Sequence, residues 1–173
     1  MIGETSDTTA NQNPTTPEET VRNYWRAWTE HKLDDLLALL SPGFVSRSSL
    51  SQGRPAGKAM IARGFKVFDE ALPNLREEIV SIVSGNGLVA CEIVETATFS
   101  GPMDLPTGIL EPTNRSYTIP VASFFRVSDL GLIVEQRTYW DTANWAQQIG
   151  INPALFAPPS ESANATTLKG AVK

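Results

Sequence analysis

The hydrophobic spacing of this chain changes at Pro73-Asn74, and that change limits what the chain can fold into. Before it, apolar residues recur every three or four positions. They run Val21, Tyr24, Trp25 and Trp28, then Leu33, Leu36, Leu37 and Leu40, then Ile61, Phe65, Phe68 and Leu72. That is the spacing of one helix face. After it, alternation takes over in residues 75–84, 88–99, 115–127 and 132–141. Side chains on a strand point to opposite faces in turn, so a period of two predicts half-buried strands. Helices first and strands afterwards predict an α+β fold.

The punctuation between these segments is local chemistry. Thr16-Pro17-Glu18-Glu19 is a helix start, with Thr16 as cap, Pro17 in the first turn and Glu19 closing a capping box. A break at His31-Lys32 separates two helices, and Ser41-Pro42-Gly43 ends the second. Residues 44–57 read as a short strand and a loop, and residues 58–72 as a third helix. Gly85-Asn86-Gly87 is a tight turn between strands. Residues 100–114 form a long loop, and a last helical pattern stops at Gly150. Residues 1–15 and 153–173 are polar or small and read as disordered tails, which leaves one domain over 16–152. The sheet is expected to curve around the N-terminal helices as a cone, a natural site for a small apolar ligand.

Composition narrows the chemistry. A net charge of -5 argues against nucleic acid and against an anionic membrane surface. No apolar run is long enough to span a bilayer and no secretory pattern opens the chain, so the expected compartment is cytoplasmic. One cysteine, Cys91, and one histidine, His31, leave no disulfide, multi-cysteine metal site or serine–histidine triad. No metal and no cofactor are expected. The chemistry then falls to carboxylates, tyrosines, arginines and hydroxyls.

The stretch 132–141 concentrates such groups. Alternation puts Ile133, Glu135, Arg137, Tyr139 and Asp141 on one face, a row that suits a polar-lined pocket. Leu132, Val134, Gln136, Thr138 and Trp140 then form the other face. Leu132, Val134 and Trp140 are the expected contact with a second copy, because an exposed apolar patch needs a partner.

Three patches resemble the nuclear transport factor 2-like superfamily, and within it the SnoaL-like polyketide cyclases. They are the helix pair of residues 21–40; Glu95-Thr96-Ala97-Thr98-Phe99-Ser100-Gly101-Pro102 with Pro106-Thr107-Gly108; and Phe125-Arg126-Val127 with Tyr139-Trp140-Asp141 and Gln148-Ile149-Gly150. The resemblance implies an NTF2-like cone, a homodimer and a hydrophobic small-molecule substrate. It also implies an acid/base aspartate at the end of the last strand, here Asp141. Limonene-epoxide hydrolases of this superfamily add an Arg-x-Asp on an earlier strand; the nearest stretch here, Glu92-Ile93-Val94-Glu95, lacks that arginine. Ketosteroid isomerases use two aspartates, which fall near Ser48 and Ser123 here.

The candidate catalytic residues are therefore Asp141, Arg137 and Glu95. Asp141 equally fits a helix cap. Arg137 fits an ion pair with Glu135, and Glu95 serves only if it faces inward, with Glu92 then outside. The candidate substrate-binding residues are Tyr24, Trp25, Tyr139, Ser123, Tyr117 and Trp145, of which Tyr24 and Trp25 also fit plain core packing. The expected reaction is acid/base cyclisation or isomerisation of a polyketide- or terpenoid-like molecule. The alternatives are epoxide opening and a non-catalytic binding or dimerisation module.

Overall fold

The structure, a computed structural model, describes residues 15–51, 53–105 and 108–156; the bulk of both expected tails and Pro106-Thr107 lie outside them. The first helix, α1 (Pro17–Thr29), begins as its sequence dictates. Thr16 Oγ1 accepts from the Glu19 amide at 3.2 Å, and Glu19 Oε2 accepts from the Thr16 amide at 2.8 Å. The second, α2 (Leu33–Ala38), is shorter than the spacing predicts. The chain enters β1 (Leu40–Ser48) straight after it, through Ser41-Pro42-Gly43. The cause is tertiary: the Ile133 amide donates to the Leu39 carbonyl at 2.8 Å, and Leu40 pairs with Ile133. A late strand thus claims residues that helical spacing assigns to α2.

The third helix, α3 (Lys58–Ala71), is followed by the hairpin β2 (Arg76–Gly85) and β3 (Leu88–Thr98). Asn86 and Gly87 both take positive φ in its turn, as a two-residue hairpin loop requires. The expected long loop holds a small ribbon, β4 (Met103–Leu105) with β5 (Gly108–Leu110). It crosses the end of α3 so closely that a Cβ on Gly101 would lie 1.9 Å from the Glu70 carbonyl oxygen. Only glycine fits there. The chain ends its described part with β6 (Ser116–Val127), β7 (Ile133–Tyr139), α4 (Thr142–Gln148) and a 3₁₀ turn (Pro153–Phe156).

The α+β expectation holds. Five strands form one curved sheet in the order β1-β7-β6-β3-β2, antiparallel except for the β1–β7 seam. Its inner face carries Val89, Cys91, Ile93, Glu95 and Ala97 on β3 and Tyr117, Ile119, Val121, Ser123 and Phe125 on β6. Helix α1 lies against that face. Tyr24, Trp25 and Phe125 meet edge to face, with ring centroids 5.1–5.8 Å apart. Each such pair adds about 0.5–1.5 kcal/mol beyond the area it buries.

Two irregularities decide which side chains reach the interior. Between β6 and β7 the register slips at Arg126/Val127, with Val127 opposite Ile133 and Arg126 opposite Glu135. The slip leaves Val134 as an extra residue. Ile133 therefore shares the inner face with Gln136 and Thr138, and strict alternation along the strand fails. A second slip, between Ile79 and Ser81 on β2, places Glu77 opposite Glu95.

Candidate active site

The working face expected on the last strand is turned outward. Arg137 and Tyr139 are exposed, on the outer side of the bulge at Val134. Arg137 lies over the Phe124 ring, 5.8 Å from its centroid, rather than against Glu135. Glu135 pairs instead with Arg47 at 3.3 Å and Arg126 at 3.9 Å. Asp141 is exposed and caps α4, its Oδ1 accepting from the Asn144 amide at 2.9 Å. Trp140, expected on the outer face, packs against the core. The large apolar side chains that do stand exposed on the outer face include Phe124, Tyr139, Val83 and Leu88.

The carboxyls that enter the cone come from other strands. Glu95 faces inward and Glu92 outward. Tyr117, one strand over, is 2% exposed, and its Oη donates to Glu95 Oε1 at 2.6 Å. The Trp145 ring stands edge-on to Tyr117 at 6.1 Å and to Phe156 at 5.4 Å, so α4 and the 3₁₀ turn roof this part of the cone. Two hydrogen bonds between Gln148 and the Thr118 backbone, at 3.0 and 3.1 Å, hold that roof to β6.

Glu77 completes the cluster, and no sequence feature singled it out. Its amide donates to Thr29 Oγ1 at 3.1 Å, which ties the start of β2 to the end of α1. Its carboxyl hydrogen-bonds that of Glu95. Burial pushes the Glu77 carboxyl well above the ordinary carboxylate range, and the charge and hydrogen bond of Glu95 push it further. Burial also raises Glu95, against the pull of the hydrogen bonds it receives from Tyr117 and Glu77. The Tyr117 phenol is raised by burial first and by Glu95 second, so it stays a donor. The protonated member of the pair is thus Glu77, and Glu95 accepts from both sides. Two carboxyls forced together hold a proton between them because both cannot ionise in a dry site.

A second polar group lies deeper. Gln136 Oε1 accepts from Tyr24 Oη at 3.2 Å and from Ser46 Oγ at 3.1 Å. Ser123 Oγ donates to Thr138 Oγ1 at 2.9 Å. These bonds match polar atoms that would otherwise each cost about 1–3 kcal/mol in the core, and they leave Tyr24 and Ser123 engaged. Trp25, edge to face with Tyr24, belongs with Glu77 to the wall of an open groove of about 380 Å³ between α1 and β2. Arg22, Arg26, Thr29, Glu77 and Ile79 line the same groove. Among the described residues no cluster of three or more His, Cys, Asp or Glu could hold a metal ion, and no helix is long and apolar enough to cross a membrane.

The model of the SnoaL-like polyketide cyclase family matches residues 18–149. This chain belongs to that family. Solved structures of similar shape include AclR from Streptomyces galilaeus, a candidate hydroxylase, at 21% identity and a TM-score of 0.67, covering 80% of this chain and 98% of that one. IdmH from Streptomyces antibioticus, a candidate polyketide cyclase, is 23% identical with a TM-score of 0.66, over 79% and 99% of the two chains. A protein from Catenulispora acidiphila with a ketosteroid isomerase-like fold, in complex with trimethylamine, is 19% identical with a TM-score of 0.64, over 83% and 100%. At these identities the likeness speaks for the fold, and it is the NTF2-like cone that the sequence resembles. No curated protein matches the sequence. Within this SnoaL-like domain the inward carboxyls are Glu77 and Glu95, while the aspartate of the last strand caps a helix.

Proposed function

We propose that this SnoaL-like protein is a cofactor-free acid/base enzyme acting on a hydrophobic small molecule, polyketide- or terpenoid-like, by cyclisation or isomerisation. The observation that carries this reading is the Glu77–Glu95 pair under Tyr117. A buried carboxyl pair is a poor way to stabilise a core, since apolar residues of the same volume do as well or better. It is a good way to hold one acid and one base at the same pH. In this scheme Glu95, as carboxylate, takes a proton from carbon next to a substrate carbonyl. Glu77, as carboxylic acid, gives its proton to the oxygen where charge develops, and Tyr117 Oη stabilises Glu95. The product is an enol or its conjugated isomer, or a ring if the enol carbon attacks a second carbonyl within the same molecule. The groove beside Glu77 and Trp25 is the substrate's route to the pair.

The test is proton exchange, which needs no knowledge of the natural substrate. Cyclic 1,3-diketones and aryl methyl ketones in D₂O are followed by NMR for deuterium at the α-carbon. The wild type is expected to catalyse exchange, and Glu95→Gln to lower it by about 10²–10⁴-fold with its circular dichroism unchanged, the usual size of a general-base contribution. Equal exchange in the two proteins removes Glu95 from the mechanism. No exchange by the wild type with any of these ketones favours a binding module on the same scaffold.

We also propose a homodimer, joined through the outer sheet face rather than through Leu132, Val134 and Trp140. The exposed Phe124, Tyr139, Val83 and Leu88 support it.

A further inference from the structure

The outer face of the sheet carries its charges unevenly. In the strand order β1-β7-β6-β3-β2, its arginines Arg47, Arg137 and Arg126 stand on β1, β7 and β6. Register puts Arg47 beside Arg137, Arg137 beside Phe124, and Arg126 beside Glu135. Glu135 serves both Arg47 and Arg126. Arg137 is exposed over the Phe124 ring and is in no ion pair among the described residues. The acids lie across the sheet. Glu92 on β3 is exposed and likewise in no ion pair among the described residues, and Glu78 stands on β2 opposite Val94. Arg76, two residues before Glu78 on the same face, offsets that acid and leaves Glu92 as the one to be matched. The face thus has a basic side and an acidic side, divided between β6 and β3.

Its shape is uneven along the same line. The Phe124 ring is engaged on the β7 side, edge to face with Tyr139 at 6.3 Å and under Arg137 at 5.8 Å. On the β3 side its cross-strand neighbour is Ala90, and the next outward residue along β6 is Ala122, opposite Glu92. A large ring therefore stands beside a hollow floored by two alanines, with exposed Val83 beyond Ala90 as its rim. A knob next to a hollow can match itself: a two-fold axis between them seats each knob in the hollow of the other copy.

Charge decides how two copies meet. Sheets packed face to face lie about 10 Å apart, within reach of arginine and glutamate side chains extended toward each other. The two-fold axis can run across the strands or along them. Across the strands, β7 lies on the partner's β7, and the arginines of the basic side meet their own copies. Like charges so placed oppose association. Along the strands, between β6 and β3, β6 lies on the partner's β3 and the basic side meets the acidic one. Phe124 then stands over the partner's Ala90, and Ala122 over the partner's Glu92, one strand from Arg137. We propose that the homodimer forms about this axis, with Phe124 seated at the partner's Ala90 and Arg137 paired with the partner's Glu92. This rests on the reading of the outer face as the dimer interface and names the register of that interface. Symmetry makes the pairing twice, one on each side of the two Phe124 rings.

The experiment is charge reversal read by sedimentation equilibrium, which gives the dimer Kd of the full chain. Arg137→Glu and Glu92→Arg are each expected to weaken the dimer by roughly tenfold to a hundredfold, since each sets two like-charged contacts across the interface. The double variant restores both pairs in the opposite sense and is expected to regain most of the wild-type affinity. Both positions are exposed, so circular dichroism should stay that of the wild type. Ala90→Trp fills the hollow and is expected to weaken the dimer with no change of charge. A double variant no tighter than the weaker single variant overturns the pairing; if Phe124→Glu still separates the copies, the outer face remains the interface. An Arg137→Glu dimer tighter than the wild type indicates the crosswise axis and overturns the proposal as well. A wild type that is monomeric throughout, or a dimer untouched by Phe124→Glu, removes the outer-face interface and the pairing with it.

Discussion

Replacing Glu77 by glutamine isolates the shared proton. In the unfolded chain both carboxyls ionise near the ordinary carboxylate value of 4.5, whereas in the folded chain Glu77 is raised well above it. A raised folded value means that the folded state binds the extra proton. Its contribution to stability is therefore complete below 4.5 and is lost as pH rises through the raised value. One proton corresponds to about 1.4 kcal/mol per pH unit. Glutamine at position 77 keeps a donor toward Glu95 and has nothing to titrate. Urea unfolding at pH 5, 6, 7 and 8 should show Glu77→Gln gaining on the wild type by about 1.4 kcal/mol per unit until the pair ionises, then no further. In a thermal melt the gap widens by roughly 3–5 °C per pH unit for a chain of this size. Curves for the two proteins that stay parallel from pH 5 to 8 refute the shared proton, and with it the acid and base assigned to Glu77 and Glu95.

Asp141→Ala should cost about 1 kcal/mol through loss of the α4 cap, while Asp141→Asn, which caps as well, should leave both stability and proton exchange unchanged. Loss of exchange in the asparagine variant would return Asp141 to the chemistry. On the outer sheet face, the wild type should sediment as a dimer and Phe124→Glu as a folded monomer; a monomeric wild type refutes the proposed interface.

The fold was legible because its signals are local and redundant. Thr16-Pro17-Glu18-Glu19 starts a helix whatever follows it, and Gly85-Asn86-Gly87 turns a hairpin on its own. The interior of the site was not legible, because two bulges set it. Counting residue by residue back from the Gly85–Leu88 closure would put Glu78 opposite Glu95. The slip between Ile79 and Ser81 substitutes Glu77. Nothing in Arg76-Glu77-Glu78 marks which acid turns inward, and the signal lies only in the pairing with β3. In the same way, perfect alternation along β7 would gather Ile133, Arg137 and Tyr139 on one face. The extra residue at Val134 keeps Ile133 inside and turns the other two out. Glu95 was within reach of sequence reasoning because Glu92, on the opposite face, forced a choice that the apolar neighbours Ile93 and Ala97 point toward.

The parallel seam between β1 and β7 bears on how this protein comes into being. Glu77, Glu95 and Tyr117 lie on strands that are made one after another and pair as neighbours. Their surroundings are not made together. Tyr24 is synthesised early, and its partner Gln136 belongs to the last strand; the Leu39 and Leu40 backbone waits for Ile133 in the same way. Until β7 leaves the ribosome, the Tyr24 hydroxyl on α1 has no Gln136 to meet. Closing that long loop is the slow, entropically costly step. A nascent chain stalled before β7 would already own its acid and its base, in a half-open sheet where water ionises both. On the proposed reading, the pair is enclosed for acid/base work only when the early helix and the late strand meet.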